Sequence, residues 1–136
     1  MNYGQAWTVY QQCSEMELRR LNRAKWKPHS DYVGGYKLRY CIDIDGTICH
    51  TNGLDYANAT PILKAIDLIK KIKSDGHYVI LFTARGSMTG TDWHAVTLKQ
   101  LNSWEVPFDE LILGKPAADI YIDDKGLPAQ IWHQLP

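Results

Sequence analysis

The 136-residue chain lacks any apolar run approaching the roughly 20 residues that a bilayer-spanning helix needs, so membrane insertion is not expected. It also lacks net charge, because 15 Lys and Arg are matched by 15 Asp and Glu. No global field therefore draws it to nucleic acid or to an anionic membrane. Cysteine is scarce: Cys13, Cys41 and Cys49 are odd in number and have no metal-ligand spacing. Reduced thiols in a cytoplasmic protein are the expected state. The amino terminus, MNYGQAWTVYQQC, has no basic stretch leading into an apolar one, which argues against secretion. Repeats and low-complexity tracts are missing too. What is present is 45% hydrophobic residues, enough for a core, in a length that suits one small domain.

The chain is organised around Cys41-Ile42-Asp43-Ile44-Asp45-Gly46-Thr47-Ile48-Cys49. Leu38, Tyr40 and Ile42 alternate with Arg39 and Cys41, the pattern of a strand. That strand delivers two carboxylates, Asp43 and Asp45, and Gly46 then permits a tight turn. Burying an unpaired carboxylate is costly and two like charges repel, so a cation is expected beside them, a divalent metal above all.

Residues 5 to 26 suggest a first helix, stopped by Pro28. Between positions 19 and 39, Arg19, Arg20, Arg23, Lys25, Lys27, Lys37 and Arg39 face Asp31 alone. This reads first as a solvated helix face and loop, and second as a patch for phosphate-bearing substrates or nucleic acid. Residues 28 to 36 and 49 to 59 read as loops. Thr60 and Pro61 suit an N-cap and a first helical residue, and Ile62, Ala65, Ile66, Ile69 and Ile72 follow at helical spacing to Gly76. Tyr78-Val79-Ile80-Leu81-Phe82 is an apolar run of strand length that ends in Thr83-Ala84-Arg85-Gly86. Thr91 suits the cap of a second helix through about Trp104, while Leu111-Ile112-Leu113 predicts a third strand before Gly114-Lys115-Pro116, and Ile120-Tyr121-Ile122 a fourth before Asp123-Asp124-Lys125. Residues 126 to 136 predict one helical turn.

Strand and helix alternate, which predicts an α/β fold with a mainly parallel sheet flanked by helices. Ligands bind at the carboxyl ends of such strands. Here those ends carry Asp43 and Asp45, Thr83, Lys115, and Asp123 and Asp124. Carboxylates without a His/Cys cluster favour a hard cation such as Mg²⁺. A metal with Lys and hydroxyl donors suits the charge of a transferring phosphoryl group, a carboxylate can form an aspartyl-phosphate, and a second one can move protons.

Asp43-Ile44-Asp45-Gly46-Thr47 resembles motif I of the haloacid dehalogenase (HAD) superfamily of phosphatases. Leu81-Phe82-Thr83 resembles motif II, Lys115 motif III, and Ile122-Asp123-Asp124 motif IV, in the family's order from about Leu38 to Lys125. The resemblance implies a Rossmann-like core over 38–136 behind an amino-terminal extension, 1–37, for which it has no counterpart. It implies Asp43 as nucleophile and metal ligand, and Asp45 as general acid/base with its carbonyl on Mg²⁺. Thr83 and Lys115 would hold the phosphoryl oxygens, with Ala84 and Arg85 beside the substrate. Asp124 would ligate the metal directly, and Asp123 would act through water or orient Lys115.

The gaps between motifs hold no cap domain, so the chain is similar to capless members. Short bacterial phosphatase-like proteins of capsule and surface-sugar biosynthesis share its TAR motif and its VPFDE-LIL-GKP segment. The chain ends soon after motif IV, without an obvious fifth strand. Open capless sites often gain walls from a neighbouring subunit, which suggests a homo-oligomer.

The expected function is therefore a Mg²⁺-dependent phosphomonoesterase acting on a small metabolite, a sugar phosphate first. The alternatives are a nucleotide or nucleic-acid end phosphatase using the basic segment, and a non-enzymatic phosphoacceptor. The order of the motifs, with the Asp-x-Asp first and an acid pair last, disfavours the phosphoacceptor. Arg85 either binds substrate or pairs with an acid, and Cys49 and His50 line the entrance or pack in a loop. Tyr56 and Asn58 are weaker candidates; His94 reads as a surface residue, and Trp132 and His133 as packing.

Overall fold

The computed structural model describes residues 38–136. The expected first helix, the loop over 28–36 and almost all of the basic run lie outside these residues.

Three strands form one parallel sheet: β1 (Arg39–Ile42), β4 (Tyr78–Thr83) and β5 (Glu110–Leu113), in the order β1-β4-β5. Ile42 lies opposite Leu81, and Thr83 opposite Leu113. Between β1 and β4 run β2 (Cys49–His50), a 3-10 turn (Tyr56–Asn58), β3 (Thr60–Pro61) and helix α1 (Leu63–Ser74). Helix α2 (His94–Ser103) joins β4 to β5, and a single turn, α3 (Ala129–Trp132), follows near the end. This is the Rossmann-like α/β arrangement the alternation of elements predicts. No helix among the described residues is long and apolar enough to cross a membrane.

The core explains the register. In β4, Val79, Leu81 and Thr83 are fully buried, while Tyr78, Ile80 and Phe82 are half-covered. The continuous apolar run thus resolves into a strand with one fully closed face. Ile42, Ile44 and Ile48 from the first motif close the core against Ala65, Ile66 and Ile69 of α1, with Leu101 of α2 and Trp132 of α3. Each fully buried Ile or Leu contributes about 1.5–3 kcal/mol, which makes these side chains the main support of the sheet. Lys71 and Lys73 lie in the last turn of α1, where the helix dipole favours cations. Gly76, at φ +88°, provides the left-handed residue after that helix.

Four sequence expectations change. Thr60 and Pro61 do not open α1: they pair antiparallel with Cys49 and His50, and the Ile62 N–H donates to the Ile48 carbonyl at 2.8 Å. The helix starts two residues later than the capping signal suggested, because that backbone is already used in the ribbon. Residues 49–59 accordingly contain a strand and a 3-10 turn rather than a plain loop. Helix α2 starts at His94, with the Asp92 carboxylate accepting from the His94 N–H at 2.9 Å, so Thr91 is not its cap. Finally, Ile120-Tyr121-Ile122 forms no strand; Ile120 and Ile122 are 64% and 93% exposed. Three residues without a ladder partner cannot offset the entropy of ordering them.

Candidate active site

Parallel pairing puts the ends of β1, β4 and β5 side by side, and two of the sequence-predicted groups meet there. Asp43 directly follows β1, and Lys115 stands two residues past β5. Lys115 Nζ lies 3.3 Å from Asp43 Oδ1, and the Thr47 hydroxyl donates to Oδ2 at 3.2 Å. The Asp43 side chain keeps about a third of its surface exposed (34%), so it can meet a ligand from solvent.

The Lys115 side chain is steered from both ends. Its backbone N–H donates to the Thr83 carbonyl at 3.1 Å, and its carbonyl accepts from the Ser87 hydroxyl at 2.6 Å. Its ammonium lies 4.4 Å above the Tyr121 ring, whose hydroxyl donates to the Pro116 carbonyl. A cation over an aromatic face is favourable, so Tyr121 supports the lysine that reaches Asp43.

The turn carrying the two carboxylates is held by its own backbone. The Ile44 carbonyl accepts from the Thr47 and Ile48 N–H groups at 3.1 and 2.9 Å, and Gly46, at φ +82°, donates to the Cys49 carbonyl. His133 adds a tie across 86 residues, its Nε2 lying 2.6 Å from the Thr47 carbonyl. Sequence reading assigned His133 to packing; this contact makes it a brace for the turn.

Asp45 has a different environment. Arg85 grips it with two hydrogen bonds, Nε to Oδ2 and Nη2 to Oδ1, both 2.9 Å. The Thr51 hydroxyl donates to Oδ1 at 2.5 Å, and the Cys49 thiol points to the same oxygen at 3.6 Å. Burial pushes the Asp45 pKa up, but the hydrogen bonds from Arg85 and Thr51 outweigh it and hold the carboxyl below its usual range. Burial is also the main reason the Cys49 thiol is pushed up to about 11, which keeps it protonated and inert.

Arg85 is itself enclosed. Its side chain has no exposed surface. Nη1 donates to Thr97 Oγ1 at 3.0 Å and to Gln100 Oε1 at 2.7 Å, and the guanidinium lies 5.0 Å from the Tyr56 ring centre. Gln100 in turn donates to the Tyr56 carbonyl at 2.5 Å. Of the two roles the sequence allowed Arg85, the structure shows the acid partner. Thr51, Thr97 and Gln100 were not singled out. For Thr97 and Gln100 the available signal was polarity on the inward side of α2, where they share a helix face with Leu101.

Thr83, the predicted phosphate-binding hydroxyl, is fully buried, and its Oγ1 accepts from the Arg85 N–H at 3.1 Å. It shapes the turn that aims Arg85 at Asp45. Ala84 is half-buried on the same turn, and Cys49 is buried while His50, Asn58 and His94 are exposed.

The acid pair is not brought to Asp43. Asp123 Oδ1 accepts from the Lys125 and Gly126 N–H groups at 2.8 and 2.5 Å, which lowers its pKa. Asp124 lies 3.5 Å from Lys125, both side chains more than four-fifths exposed. Among the described residues no group of three or more His, Cys, Asp or Glu is placed to hold a metal ion. As arranged here, Asp43 is the carboxylate that would meet a cation from solvent. Two side-chain cations, Lys115 and Arg85, meet the charges of Asp43 and Asp45 in this arrangement.

Chemically, the arrangement offers one accessible carboxylate beside an ammonium and one clamped, charged carboxylate two residues on. No family model matches the chain, and no curated protein matches it. Among solved structures, a structural-genomics target from Vibrio cholerae is similar, with a TM-score of 0.67 and 26% identity over 72% of this chain and 89% of that one. A chain of a Pnkp1/Rnl/Hen1 complex is also similar, with a TM-score of 0.49 and 20% identity over 74% of this chain and 36% of that one. The first supports the α/β core as a recurring architecture.

Proposed function

We propose that the chain is a phosphomonoester hydrolase of the haloacid dehalogenase type, acting through an aspartyl-phosphate on Asp43, with a small phosphorylated metabolite, a sugar phosphate, as substrate. The observation that carries this reading is the solvent-facing Asp43 carboxylate at the end of β1, with Lys115 at 3.3 Å and a second, clamped carboxylate two residues away.

In this reading an Asp43 oxygen attacks phosphorus, and the bond from phosphorus to the leaving oxygen breaks. Lys115 stabilises the negative charge spread over the transferring group. The leaving oxygen takes a proton from solvent water; a water molecule then attacks phosphorus of the aspartyl-phosphate, the bond to the Asp43 oxygen breaks, and inorganic phosphate leaves with Asp43 restored. Asp45 is the proton-transfer group. Arg85 keeps Asp45 ionised, the form that can take the proton of the attacking water in the second half. Thr83 supports the chemistry indirectly, through the Arg85 turn.

The test is Asp43→Asn. Release of phosphate from para-nitrophenyl phosphate is expected to fall by at least about 10³-fold, because the variant has no charged nucleophile. Wild-type protein quenched in acid during turnover should carry phosphate on Asp43 by mass spectrometry. Turnover of Asp43→Asn near the wild-type rate would refute the assignment.

A further inference from the structure

A cavity of about 180 Å³ opens beside the turn that follows β4. Leu54, Tyr56, Ala84, Gly86, Met88 and Trp93 supply most of its wall, and Ala117 and the threonines at 89 and 91 complete it. Its position ties it to the site. Ala84 and Gly86 flank Arg85, and Ala117 stands two residues past Lys115. The Ser87 hydroxyl, on the same turn, holds the Lys115 carbonyl at 2.6 Å. Tyr56 serves both places: its ring lies over Arg85 and also packs edge-on against Trp93, with centres 5.0 Å apart and planes at 80°.

We propose that this cavity is the leaving-group subsite and takes a single polyol ring, the cyclic sugar of a hexose phosphate. The inference rests on the phosphomonoesterase reading and names the part of the substrate that reading leaves open. Three observations carry it. The wall is mainly apolar and bears two aromatic side chains that hold each other in place, a surface suited to the C–H face of a sugar ring. The volume falls below the roughly 300 Å³ at which drug-sized pockets begin, a size that suits one ring better than a nucleoside. At the rim, Leu54 and Met88 are 60% and 80% exposed, an apolar edge that a bound ring would cover, while the Thr91 hydroxyl, which accepts from the Thr89 hydroxyl at 3.1 Å, keeps its own proton to donate to a sugar oxygen.

The experiment compares kcat/KM of the full chain for glucose 6-phosphate, glycerol 2-phosphate and AMP. Wild type is expected to favour glucose 6-phosphate over the ring-less ester by about tenfold or more and to turn over AMP more slowly than either. Trp93→Ala should bring the ratio of glucose 6-phosphate to glycerol 2-phosphate close to one, mainly through KM. Met88→Asp alters an exposed rim position without burying anything, so it keeps the test valid if Trp93→Ala misfolds; it should lower the same ratio severalfold. Ratios unchanged in folded Trp93→Ala or Met88→Asp, or AMP preferred by wild type, would overturn the subsite. Calorimetric binding of glucose 6-phosphate separates this from the parent reading. On an Asp43→Asn background, adding Trp93→Ala or Met88→Asp should weaken binding about tenfold. Equal binding overturns the subsite alone. Binding weakened as expected, with no turnover of any ester by wild type, overturns the hydrolase reading alone.

Discussion

Arg85→Met is the perturbation that probes the site most directly. Arg85 has no exposed side-chain surface, and Asp45 is 24% exposed. Removing the guanidinium deletes two hydrogen bonds of 2.9 Å to Asp45 and leaves that carboxylate with the Thr51 hydroxyl and the Cys49 thiol. It also strands Thr97 and Gln100 of their shared donor. Breaking a buried pair costs about 3–5 kcal/mol, and the partial exposure of Asp45 places the expectation at the low end, about 3 kcal/mol at pH 7. For a domain of this size that is a fall in Tm of about 10–15 °C.

The pH dependence has a definite sign. In wild type the folded Asp45 pKa lies below its unfolded value, so its contribution is present in full above about pH 4 and is lost as pH falls through the lowered folded value. In Arg85→Met, burial is no longer outweighed, and the folded pKa moves above the unfolded one. The variant then loses stability as pH rises from about 4 toward 7. The gap between the two proteins should widen over that window. Urea unfolding at pH 4, 5.5 and 7 measures it, and Asp45→Asn on the Arg85→Met background should recover part of the loss, because it removes the uncompensated charge. A gap below about 1 kcal/mol, or one that is flat with pH, would show that the clamp does not hold Asp45 as described.

Further outcomes follow from other contacts. Gly86→Ala places a Cβ against the Thr91 carbonyl at a backbone φ of +83°, so it should destabilise by at least about 2 kcal/mol and shift the turn holding Arg85, read by thermal unfolding. Cys49, with its pKa near 11, should resist a thiol reagent at pH 8 in the folded protein and react only after urea, as mass spectrometry of labelled peptides would report. Metal-free protein should show no saturable Mg²⁺ binding below about 1 mM by calorimetry, because one carboxylate and its lysine make a poor site for a hard cation; tight binding abolished by Asp124→Asn would show that residues 123–124 can move to Asp43.

Much of the core was legible because its signals are local. Asp43, Gly46 and Lys115 could be placed at strand ends from apolar runs and turn residues alone, and parallel pairing requires only that adjacent strands bury the same faces. The helical spacing of Ala65, Ile66 and Ile69 likewise determines which face of α1 turns inward. What the sequence could not decide was competition for the same groups. Thr60 carries a good capping signal, yet its backbone pairs with His50, because the ribbon satisfies more hydrogen bonds than a cap would. Ile120-Tyr121-Ile122 has strand composition, but a strand exists only where a neighbour offers its ladder.

The cations show the same division. By itself the sequence determined that Asp43 and Asp45 need positive charge nearby, since two adjacent carboxylates at a buried strand end are untenable otherwise. Only the tertiary structure decided that Lys115 and Arg85 supply it, one from beyond β5 and one from the turn after β4. Which cation reaches which acid depends on distances of a few ångströms between segments 40 and 72 positions apart, and chain order does not encode those distances.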